Sequence, residues 1–435
     1  MNTITPIVIA GGGAGGLELA AKLGRKHGPS HVYLIDQSTD HIWKPSLHEV
    51  AAGTLDINRE GLSYFMLARD CNFTFILGAL EGVDQESKQV HVAAAHNAAG
   101  QQLFPKRVID YGSLVIAVGS KSNFFGTPGA AENAITLDAT PQAEHFRLKL
   151  LHAVMQHEGG LLSQDKVEPL NIVIVGGGAT GVELAAELTE AISSLHFYGA
   201  HTLTPSRDLS ITLVEGADRI LVALPPELSS RATKLLLSRG IKVCTNVRVT
   251  EVQATQIIDQ HGESYAADLC VWAAGIHAPA FLSTLGLETN HINQLVVNER
   301  LETNNPHIYA MGDCAQAPWL GEDQNLPARA QVAHQQASYL YKVFSLKIKN
   351  PSHQAPAFKY KDYGSLVAVG HTKGVGSLMG VLSGKSWFVE GLVARTMYMS
   401  LHLMHHAAVL GILRTCSLAL GRLLLKRSAP RIKLH

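Results

Sequence analysis

The chain contains the same short pattern twice: an apolar run, a glycine-rich turn, a helical stretch, a second apolar run and an acidic residue. The first copy occupies residues 4–36 and contains the turn Gly11–Gly16, and the second occupies residues 171–215 and contains Gly176–Gly181. Each copy predicts a strand, a turn, a helix and a parallel strand. Because such a unit is half of a nucleotide-binding fold, the duplication predicts an α/β protein with two Rossmann-like dinucleotide-binding domains.

Each turn has the spacing G-x-G-x-x-G. The first glycine permits the tight turn, the second lets a pyrophosphate approach the backbone, and the third lets the helix pack on the strand. The helix N-terminus adds positive potential for phosphate. The residues predicted to bind a dinucleotide are Gly11, Gly13, Ala14, Gly15 and Gly16 in the first turn and Gly176, Gly178 and Gly181 in the second. In the alternative interpretation, only one turn binds a nucleotide.

An acidic residue ends the second strand of each copy. Asp36 lies 20 residues after Gly16, whereas Glu215 lies 34 residues after Gly181, and a polar insertion near residues 198–208 accounts for the longer spacing. A carboxylate here can bind the adenosine ribose. Because Glu215 would repel a 2′-phosphate, we expect the second site to prefer NADH over NADPH.

Two dinucleotide sites in one chain predict electron transfer between two dinucleotides, most simply from NAD(P)H to non-covalently bound FAD. We expect FAD in the first copy. A later strand ends in Ala310-Met311-Gly312-Asp313, and flavoproteins with two dinucleotide sites use such an aspartate to bind the ribityl chain. The alternative is that Asp313 is only a turn residue at a strand end.

The remaining pattern predicts three regions. Residues 1–125 and 286–350 are expected to form a discontinuous FAD-binding domain, residues 126–285 an NADH-binding domain, and residues 351–435 a C-terminal region. Further strands are predicted at Leu114–Val118, Ile241–Val243, Leu269–Ala273 and His307–Ala310. Antiparallel strands are predicted at Tyr360–Val369 and Val375–Leu382, with helices after Gly391.

Charge is distributed unevenly although the chain contains 36 basic and 36 acidic residues. No acidic residue follows Glu390, whereas seven basic residues do. The 18 residues 396–413 carry no charged side chain, but histidines interrupt them, so we do not expect a spanning helix. Apolar helices with basic residues predict contact with an anionic lipid surface, and a dimer-forming tail is the alternative or an addition. The balanced charge does not predict a nucleic-acid partner.

Five dispersed cysteines form no C-x-x-C or C-x₄-C pair. This usage is typical of a reduced intracellular protein, and it predicts no metal site. Disulfide reductases share the two-dinucleotide architecture but pass electrons through such a pair, so that class is excluded. Sulfide:quinone oxidoreductases also need paired cysteines near the flavin, which Cys314 alone does not supply.

The chain resembles a known family, the type II (non-proton-pumping) NADH:quinone oxidoreductases, and especially their proteobacterial respiratory members. The motifs that carry the resemblance are His41–Gly53 (HIWKPSLHEVAAG), Gly178–Leu184 (GATGVEL), Val271–Ile276 (VWAAGI), Gly286–Val297 (GLETNHINQLVV), Ala330–Gln336 (AQVAHQQ) and Pro430–His435 (PRIKLH). They extend over nearly the whole chain. His277 stands where close relatives have a lysine, which leaves the role of that side chain open.

The resemblance implies several site residues. Lys44 and Pro45 would lie near the isoalloxazine ring, Gly275 would approach a cofactor, and Ala330, Gln331 and Gln335 would line the flavin edge and the quinone pocket. Glu183 would face nicotinamide and flavin and relay protons. Each has an ordinary alternative: a surface lysine, a polar helix face, and an acid in the first turn of a helix.

The resemblance implies a flavoenzyme that passes electrons from NADH through FAD to a membrane quinone without pumping protons. It would bind, as a homodimer, to the cytoplasmic face of a bacterial inner membrane. Two other functions stay open. The acceptor could be a soluble protein, or the chain could be a non-enzymatic flavoprotein that signals the NADH level.

Overall fold

The structure is a computed structural model that describes residues 5–97, 99–163, 168–198, 204–350, 352–370, 374–379, 386–425 and 432–433. In these residues the α-helices are α1 (Ala14–His27), α2 (Leu47–Ala52), α3 (Ile57–Glu60), α4 (Tyr64–Cys71), α5 (Ala130–Asn133), α6 (Thr140–Leu162), α7 (Ala179–Tyr198), α8 (Pro205–Asp208), α9 (Pro226–Leu237), α10 (Ala330–Lys347), α11 (Gly391–Leu410) and α12 (Ile412–Leu425). Short 3₁₀ helices lie at Lys44–Ser46, Ala280–Thr284 and Gly312–Cys314.

The strands are β1 (Ile7–Ala10), β2 (Val32–Asp36), β3 (Asp40–His41), β4 (Leu62–Ser63), β5 (Thr74–Leu77), β6 (Leu80–Asp84), β7 (Gln89–Val92), β8 (Ala95–His96), β9 (Gln102–Phe104), β10 (Arg107–Asp110), β11 (Ser113–Ile116), β12 (Lys121–Ser122), β13 (Ile135–Thr136) and β14 (Leu170–Val175). They continue with β15 (Leu209–Val214), β16 (Lys242–Cys244), β17 (Val249–Val252), β18 (Gln256–Asp259), β19 (Ser264–Ala266), β20 (Leu269–Trp272), β21 (Ile276–His277), β22 (Leu295–Val296), β23 (Ile308–Ala310), β24 (Ala315–Gln316), β25 (Gly364–Ala368), β26 (Gly374–Met379) and β27 (Ser386–Glu390).

The first copy of the repeated pattern lies at the centre of a five-stranded parallel sheet with the order β23-β11-β1-β2-β5. Every residue of β1 is buried, as expected for a central parallel strand that is covered on both faces. The predicted strands are confirmed with small shifts at their ends. β5 was not predicted, because an apolar run of this length does not by itself distinguish a strand from a helix.

The second copy forms an equivalent parallel sheet with the order β13-β20-β14-β15-β16. In both sheets the strand that precedes the glycine turn is central, and the strand that ends in the acid lies next to it. β14 pairs with β15 over six residues, from Leu170 opposite Leu209 to Val175 opposite Val214. The predicted α/β fold with two Rossmann-like halves is therefore confirmed.

The helix of the first copy begins at Ala14, inside the glycine turn. Basic residues occupy its last turn, where they interact favourably with the helix dipole. Gly28 then ends the helix with a φ of 86°, a value that L side chains rarely adopt. The helix of the second copy likewise begins inside its turn, at Ala179.

Two small antiparallel sheets, β10-β7-β6 and β17-β18-β19, extend from the parallel sheets and were not predicted. In the C-terminal region β25, β26 and β27 form a third antiparallel sheet. The first two of these strands were predicted, β27 was not, and the helical prediction after Gly391 is confirmed. In the described ranges no helix combines the length and the apolar character needed to cross a membrane.

The buried apolar residues form separate clusters around the two parallel sheets. The cluster around the second sheet also contains Leu47, Val50 and Ala51 of α2, together with Val367 and Ile432. A helix from the first 125 residues and parts of the C-terminal region therefore pack against the second nucleotide-binding half. The domain boundaries proposed from the sequence, at residues 125/126, 285/286 and 350/351, stay a prediction.

Candidate active site

The first glycine turn connects β1 to α1 with no room for side chains at its ends. A Cβ on Gly16 would lie 1.9 Å from the Gly11 oxygen, and Gly11 itself has a φ of +106°. Gly13 is different, because a Cβ there would meet no atom within 4 Å. The glycines at the ends serve backbone packing, whereas Gly13 leaves the helix N-terminus uncovered.

The second turn repeats this geometry. A Cβ on Gly181 would lie 2.0 Å from the Gly176 oxygen, and Gly176 has a φ of +116°. A Cβ on Gly178 would again meet no atom within 4 Å. Each turn thus has an open backbone at the position where a pyrophosphate must approach, and both turns fit a bound dinucleotide.

Each acid binds the middle of its own turn. The Gly12 N–H donates to Asp36 Oδ2 at 2.6 Å, and the Gly177 N–H donates to Glu215 Oε2 at 2.6 Å. Burial raises the pKa of the Asp36 carboxyl, and the N–H groups of Ser38 and Gly12 partly oppose that shift. The carboxylates therefore hold the turns in shape, and their contact with a ribose stays a prediction.

A chain of polar contacts joins Asp313 to Lys44. Ser120 Oγ donates to Asp313 Oδ2 at 2.9 Å, and Lys44 Nζ donates to the Ser120 oxygen at 2.8 Å. Lys44 and Pro45 belong to the 3₁₀ helix before α2. Of the predicted cofactor residues, the structure thus joins Lys44 and Asp313 through Ser120.

Helix α10 begins at Ala330, as the resemblance implied for the helix at the flavin edge. It packs on the A-M-G-D turn, because the buried Gln336 accepts the Gly312 N–H at 2.8 Å through Oε1. A Cβ on Gly15 would lie 2.4 Å from Met311 Cε and 3.1 Å from the Ala333 oxygen. The start of α10 and the first glycine turn are therefore in contact.

Gln331 and Gln335 bind the segment that leads into β25. Gln331 Nε2 donates to Asp362 Oδ1 at 3.1 Å and to the Gly364 oxygen at 3.0 Å. Gln335 and Lys361 exchange two hydrogen bonds, of 2.8 and 3.0 Å. Both amides thus fix the C-terminal region against α10, and their contact with a quinone stays a prediction.

Glu183 is the fifth residue of α7, just beyond the first turn, and it is buried. The Ala368 N–H donates to its Oε1 at 3.0 Å, and His48 Nδ1 lies 3.4 Å from its Oε2. Burial raises the pKa of Glu183 well above its usual value, and the charges of Glu49 and Glu187 raise it further. Burial and the neighbouring acids therefore favour the protonated form of this carboxyl.

At Gly275 an aromatic ring lies against the backbone, and the approach of Gly275 to a cofactor stays a prediction. The Phe125 ring occupies the place of the missing side chain, since a Cβ on Gly275 would lie 2.2 Å from Phe125 Cζ. Phe125 is 66% exposed and has a φ of 53°. His277 Nδ1 donates to the backbone oxygen of the next residue, Ala278, at 2.8 Å.

Sequence reasoning missed four residues that shape the first site: His41, Tyr64, Ser120 and Gln336. Tyr64 OH donates to the Gly12 oxygen at 2.6 Å, and His41 Nδ1 lies 3.0 Å from the same oxygen. His41 begins the H-I-W-K-P motif and Gln336 ends the A-Q-V-A-H-Q-Q motif, so two of them lay in motifs already singled out. Nothing in the sequence around Tyr64 pointed to the glycine turn.

Comparisons with known proteins place this geometry in a family. Residues 5–337 match the family model described as pyridine nucleotide-disulphide oxidoreductase. The five cysteines of this chain are nevertheless free thiols. In fold, the chain is similar to NDH2 from Plasmodium falciparum solved in complex with NADH, with a TM-score of 0.80, 20% identity and 99% of each chain covered. It is also similar to the sulfide:quinone oxidoreductase from Aquifex aeolicus, with a TM-score of 0.70, 18% identity and 94% and 92% covered.

Sequence similarity is stronger. The chain is 40% identical over 449 aligned residues to the type II NADH:quinone oxidoreductase of Haemophilus influenzae, with 99% of each protein covered. It is 26% identical to the Staphylococcus aureus enzyme of the same description, over 89% of this chain and 93% of the relative. This full-length similarity, in a chain with two equivalent nucleotide-binding turns, shows that it belongs to the type II NADH:quinone oxidoreductases.

Proposed function

We propose that this chain oxidises NADH and reduces a respiratory quinone through bound FAD, without moving protons across a membrane. The observation that carries the proposal is the pair of equivalent glycine turns, each open at its second glycine and closed by an acid. Two such turns in a chain whose cysteines are free thiols fit transfer between two dinucleotides without a disulfide step.

The first turn would hold FAD. Gly13, Ala14 and Gly15 offer N–H groups to the pyrophosphate, Asp36 accepts from the adenosine ribose, and Asp313 accepts from the ribityl chain. FAD, when bound, accepts a hydride from NADH and passes two electrons to a quinone. Lys44 supports Asp313 through Ser120 and brings a positive charge to this end of the site.

The second turn would hold NADH. Gly178 leaves space for the pyrophosphate, and Glu215 has both oxygens within reach of backbone N–H groups, those of Gly177 and Ala217. A fixed carboxylate accepts from a free 2′-hydroxyl and repels a 2′-phosphate. Glu215 therefore selects NADH over NADPH, and replacing it with alanine should reduce that preference by about tenfold or more.

Glu183 would hold a proton near the reacting groups. Its Oε1 accepts the Ala368 N–H, so the proton lies on Oε2, the oxygen that faces His48. This arrangement fits a group that delivers a proton when the quinone is reduced. Gln331, Gln335 and the start of α10 at Ala330 would border the quinone, which reaches them from the side of the C-terminal region.

We further propose that the three predicted regions are structural domains with separate roles: binding of FAD, binding of NADH, and contact with a membrane. The strands of the first parallel sheet all lie in residues 1–125 and 286–350, and those of the second all lie in residues 126–285. Residues 351–435 would bind a membrane surface on its cytoplasmic face, with homodimer formation alongside.

Exposed apolar side chains on α11 and α12 support the membrane contact. They include Met399, Met404, Ile412, Leu413, Leu420 and Leu424. Charge contributes less than the sequence suggested, because Arg414 pairs with Asp70 and Arg422 with Glu60. Apolar burial in the lipid interface, at about 25 cal/mol per Å², is then the main attraction.

Anaerobic stopped-flow absorbance of the flavin-loaded protein tests the function. We expect NADH to bleach the flavin rapidly, NADPH to do so much more slowly, and a short-chain quinone to restore the absorbance. Bleaching without recovery would contradict the quinone assignment and leave a protein acceptor or signalling. Equal rates with NADH and NADPH would contradict the role of Glu215.

A further inference from the structure

Four histidines, of which three are buried, form a cluster, and one of them, His41, contacts the first glycine turn. His41 lies in β3, and His402, His405 and His406 lie on α11. His41, His405 and His406 are 4%, 6% and 3% exposed. Trp43 stacks on His402, with ring centroids 5.1 Å apart. No three His, Cys, Asp or Glu side chains in the described part of the chain are arranged to hold a metal ion. The role of the cluster is therefore inferred from its hydrogen bonds.

The hydrogen bonds of His41 have a defined direction. Its Nδ1 lies 3.0 Å from the Gly12 oxygen, and because a carbonyl only accepts, Nδ1 carries the hydrogen. Burial lowers the pKa of His41 to about 4, so the ring is neutral near pH 7 and Nε2 is an acceptor. His405 Nε2 lies 2.8 Å from that atom and must therefore donate to it. The chain of donors runs from His405 to His41 to Gly12.

The Gly12 oxygen is the atom at which this series of hydrogen bonds reaches the first glycine turn. Tyr64 OH also donates to it, at 2.6 Å. Since a peptide group is planar and trans, fixing the Gly12 oxygen also fixes the direction of the Gly13 N–H, which points the opposite way. The space beside Gly13 is open, because a Cβ on this residue would meet no atom within 4 Å.

Helix α11 is held in place independently of the glycine turn. The Arg25 guanidinium of α1 donates to the backbone oxygens of Ala408 and Val409. The Cys71 thiol of α4 lies 3.4 Å from the Val409 oxygen. These contacts fix the C-terminal half of α11, and with it His405, against the first nucleotide-binding half.

We propose that His41 and His405 are positioning residues for FAD: they hold the Gly12–Gly13 peptide in the orientation that presents the Gly13 N–H to the pyrophosphate, and they make FAD retention depend on the seating of α11. The inference rests on the proposed function only in taking the first turn as the FAD site. A loosened peptide would have to be ordered by FAD itself, which weakens FAD binding.

The test is the Kd of FAD for the full-length apoprotein, measured by quenching of flavin fluorescence. We expect His405→Leu to weaken FAD binding about tenfold, the size of one lost buried hydrogen bond. His405→Gln keeps a donor near the Nε2 position and should stay within about twofold of the wild type. The matched control is His406→Leu, a buried histidine next in the sequence whose Nδ1 bonds only the His402 oxygen of its own helix.

Both leucine variants should lower the melting temperature, whereas only His405→Leu should raise the Kd of FAD, and neither should change the Kd of NADH. Equal Kd values of FAD for all variants, or equal losses for His405→Leu and His406→Leu, would overturn the proposal. If His405→Leu does not fold, Tyr64→Phe removes the other donor to the Gly12 oxygen and should weaken FAD binding several-fold. An unchanged Kd of FAD in that variant would again overturn the proposal. Failure of quinone reduction in every variant and in the wild type would contradict the proposed function and leave these binding results standing.

Discussion

The two glycine turns have the same backbone but are held in place by different parts of the molecule. In the first turn the Gly12 oxygen accepts from two side chains, Tyr64 OH and His41 Nδ1. In the second turn the Gly177 oxygen accepts at 2.7 Å from a backbone N–H, that of Leu221, which follows β15. The first turn therefore depends on distant side chains, and the second is supported by a neighbouring loop of its own sheet.

The helices after the turns differ in the same way. Glu18 and Glu183 both lie two residues after the last glycine of their turns, and both are buried. Glu18 is paired, with Lys22 Nζ at 2.5 Å and His334 Nδ1 at 2.7 Å. Glu183 faces His48 at 3.4 Å and the acids Glu49 and Glu187.

One duplicated framework can thus be adapted to two kinds of ligand, a cofactor that stays bound and a substrate that exchanges. A turn tied to several elements suits a resident cofactor, because its order is maintained by the whole fold. A turn supported locally suits a substrate that must enter and leave in every cycle. The two buried glutamates also differ in their surroundings: Glu18 is paired with Lys22, whereas burial and neighbouring acids raise the pKa of Glu183.

The largest expected effect comes from the third glycine of each turn. Gly16→Ala and Gly181→Ala each place a Cβ about 2 Å from a backbone oxygen, so we expect each to lower the free energy of unfolding by about 3 kcal/mol. Differential scanning calorimetry measures this loss. Gly13→Ala and Gly178→Ala are the matched controls, because the free protein has room for their Cβ.

The control variants should keep the wild-type stability and lose only their own ligand. Gly13→Ala should bind FAD at least tenfold more weakly with unchanged NADH affinity, and Gly178→Ala should do the reverse. Loss of both ligands from either variant would show that the two turns are not separate sites.

Acid should affect the first turn before the second. Burial lowers the pKa of His41 to about 4, so the folded state binds fewer protons than the unfolded chain below pH 6.5. Stability is therefore lost as pH falls from about 6.5 toward 4, by roughly 3 kcal/mol for this one ring. FAD release followed by fluorescence between pH 7 and 4 should show this transition.

Other titratable or charged groups face His41 or the side chains that it contacts, and their effects must be separated from its own. They are Tyr64 and Asp36 beside the turn, His402, His405 and His406 on α11, and His334 and Arg422, which act on the α11 histidines. Asp36→Asn removes the carboxyl whose pKa burial raises, and the transition should remain in that variant. NADH binding that declines in parallel with FAD would contradict a difference between the turns.

The smallest expected effect distinguishes the two glutamates. Glu18→Gln breaks a buried ion pair and should lower the free energy of unfolding at pH 7 by about 1–2 kcal/mol. Glu183→Gln should not lower it, because the buried Glu183 carboxyl must take up a proton when the chain folds at this pH and a glutamine need not. Urea denaturation at pH 7 measures both. Because the pKa of Glu183 is raised, its contribution is present at low pH and declines as pH rises, a decline that Glu183→Gln should remove. Equal losses at pH 7 would mean that Glu183 is ionised.

Much of the fold was predictable because the duplicated pattern is local. Runs such as residues 7–10 and 170–175 are buried on both faces and bounded by glycines, so their strand character is evident from sequence alone. The antiparallel strands β17, β18 and β19 were missed because they are short and partly exposed, and their pairing is set by contacts across the sheet.

For the site, the sequence determined the parts whose chemistry is encoded by residue type and spacing: the two turns, their acids Asp36 and Glu215, and the family motifs. Only the tertiary structure decided which side chains hold those turns. His405 lies 364 residues after His41, yet the two rings are in hydrogen-bond contact. The same folding brings Gln331 and Gln335 of α10 into hydrogen-bond contact with the segment before β25. Local steric rules fix a glycine turn within a few residues, whereas a buried polar group takes as its partner whatever side chain the packing of distant elements brings to it.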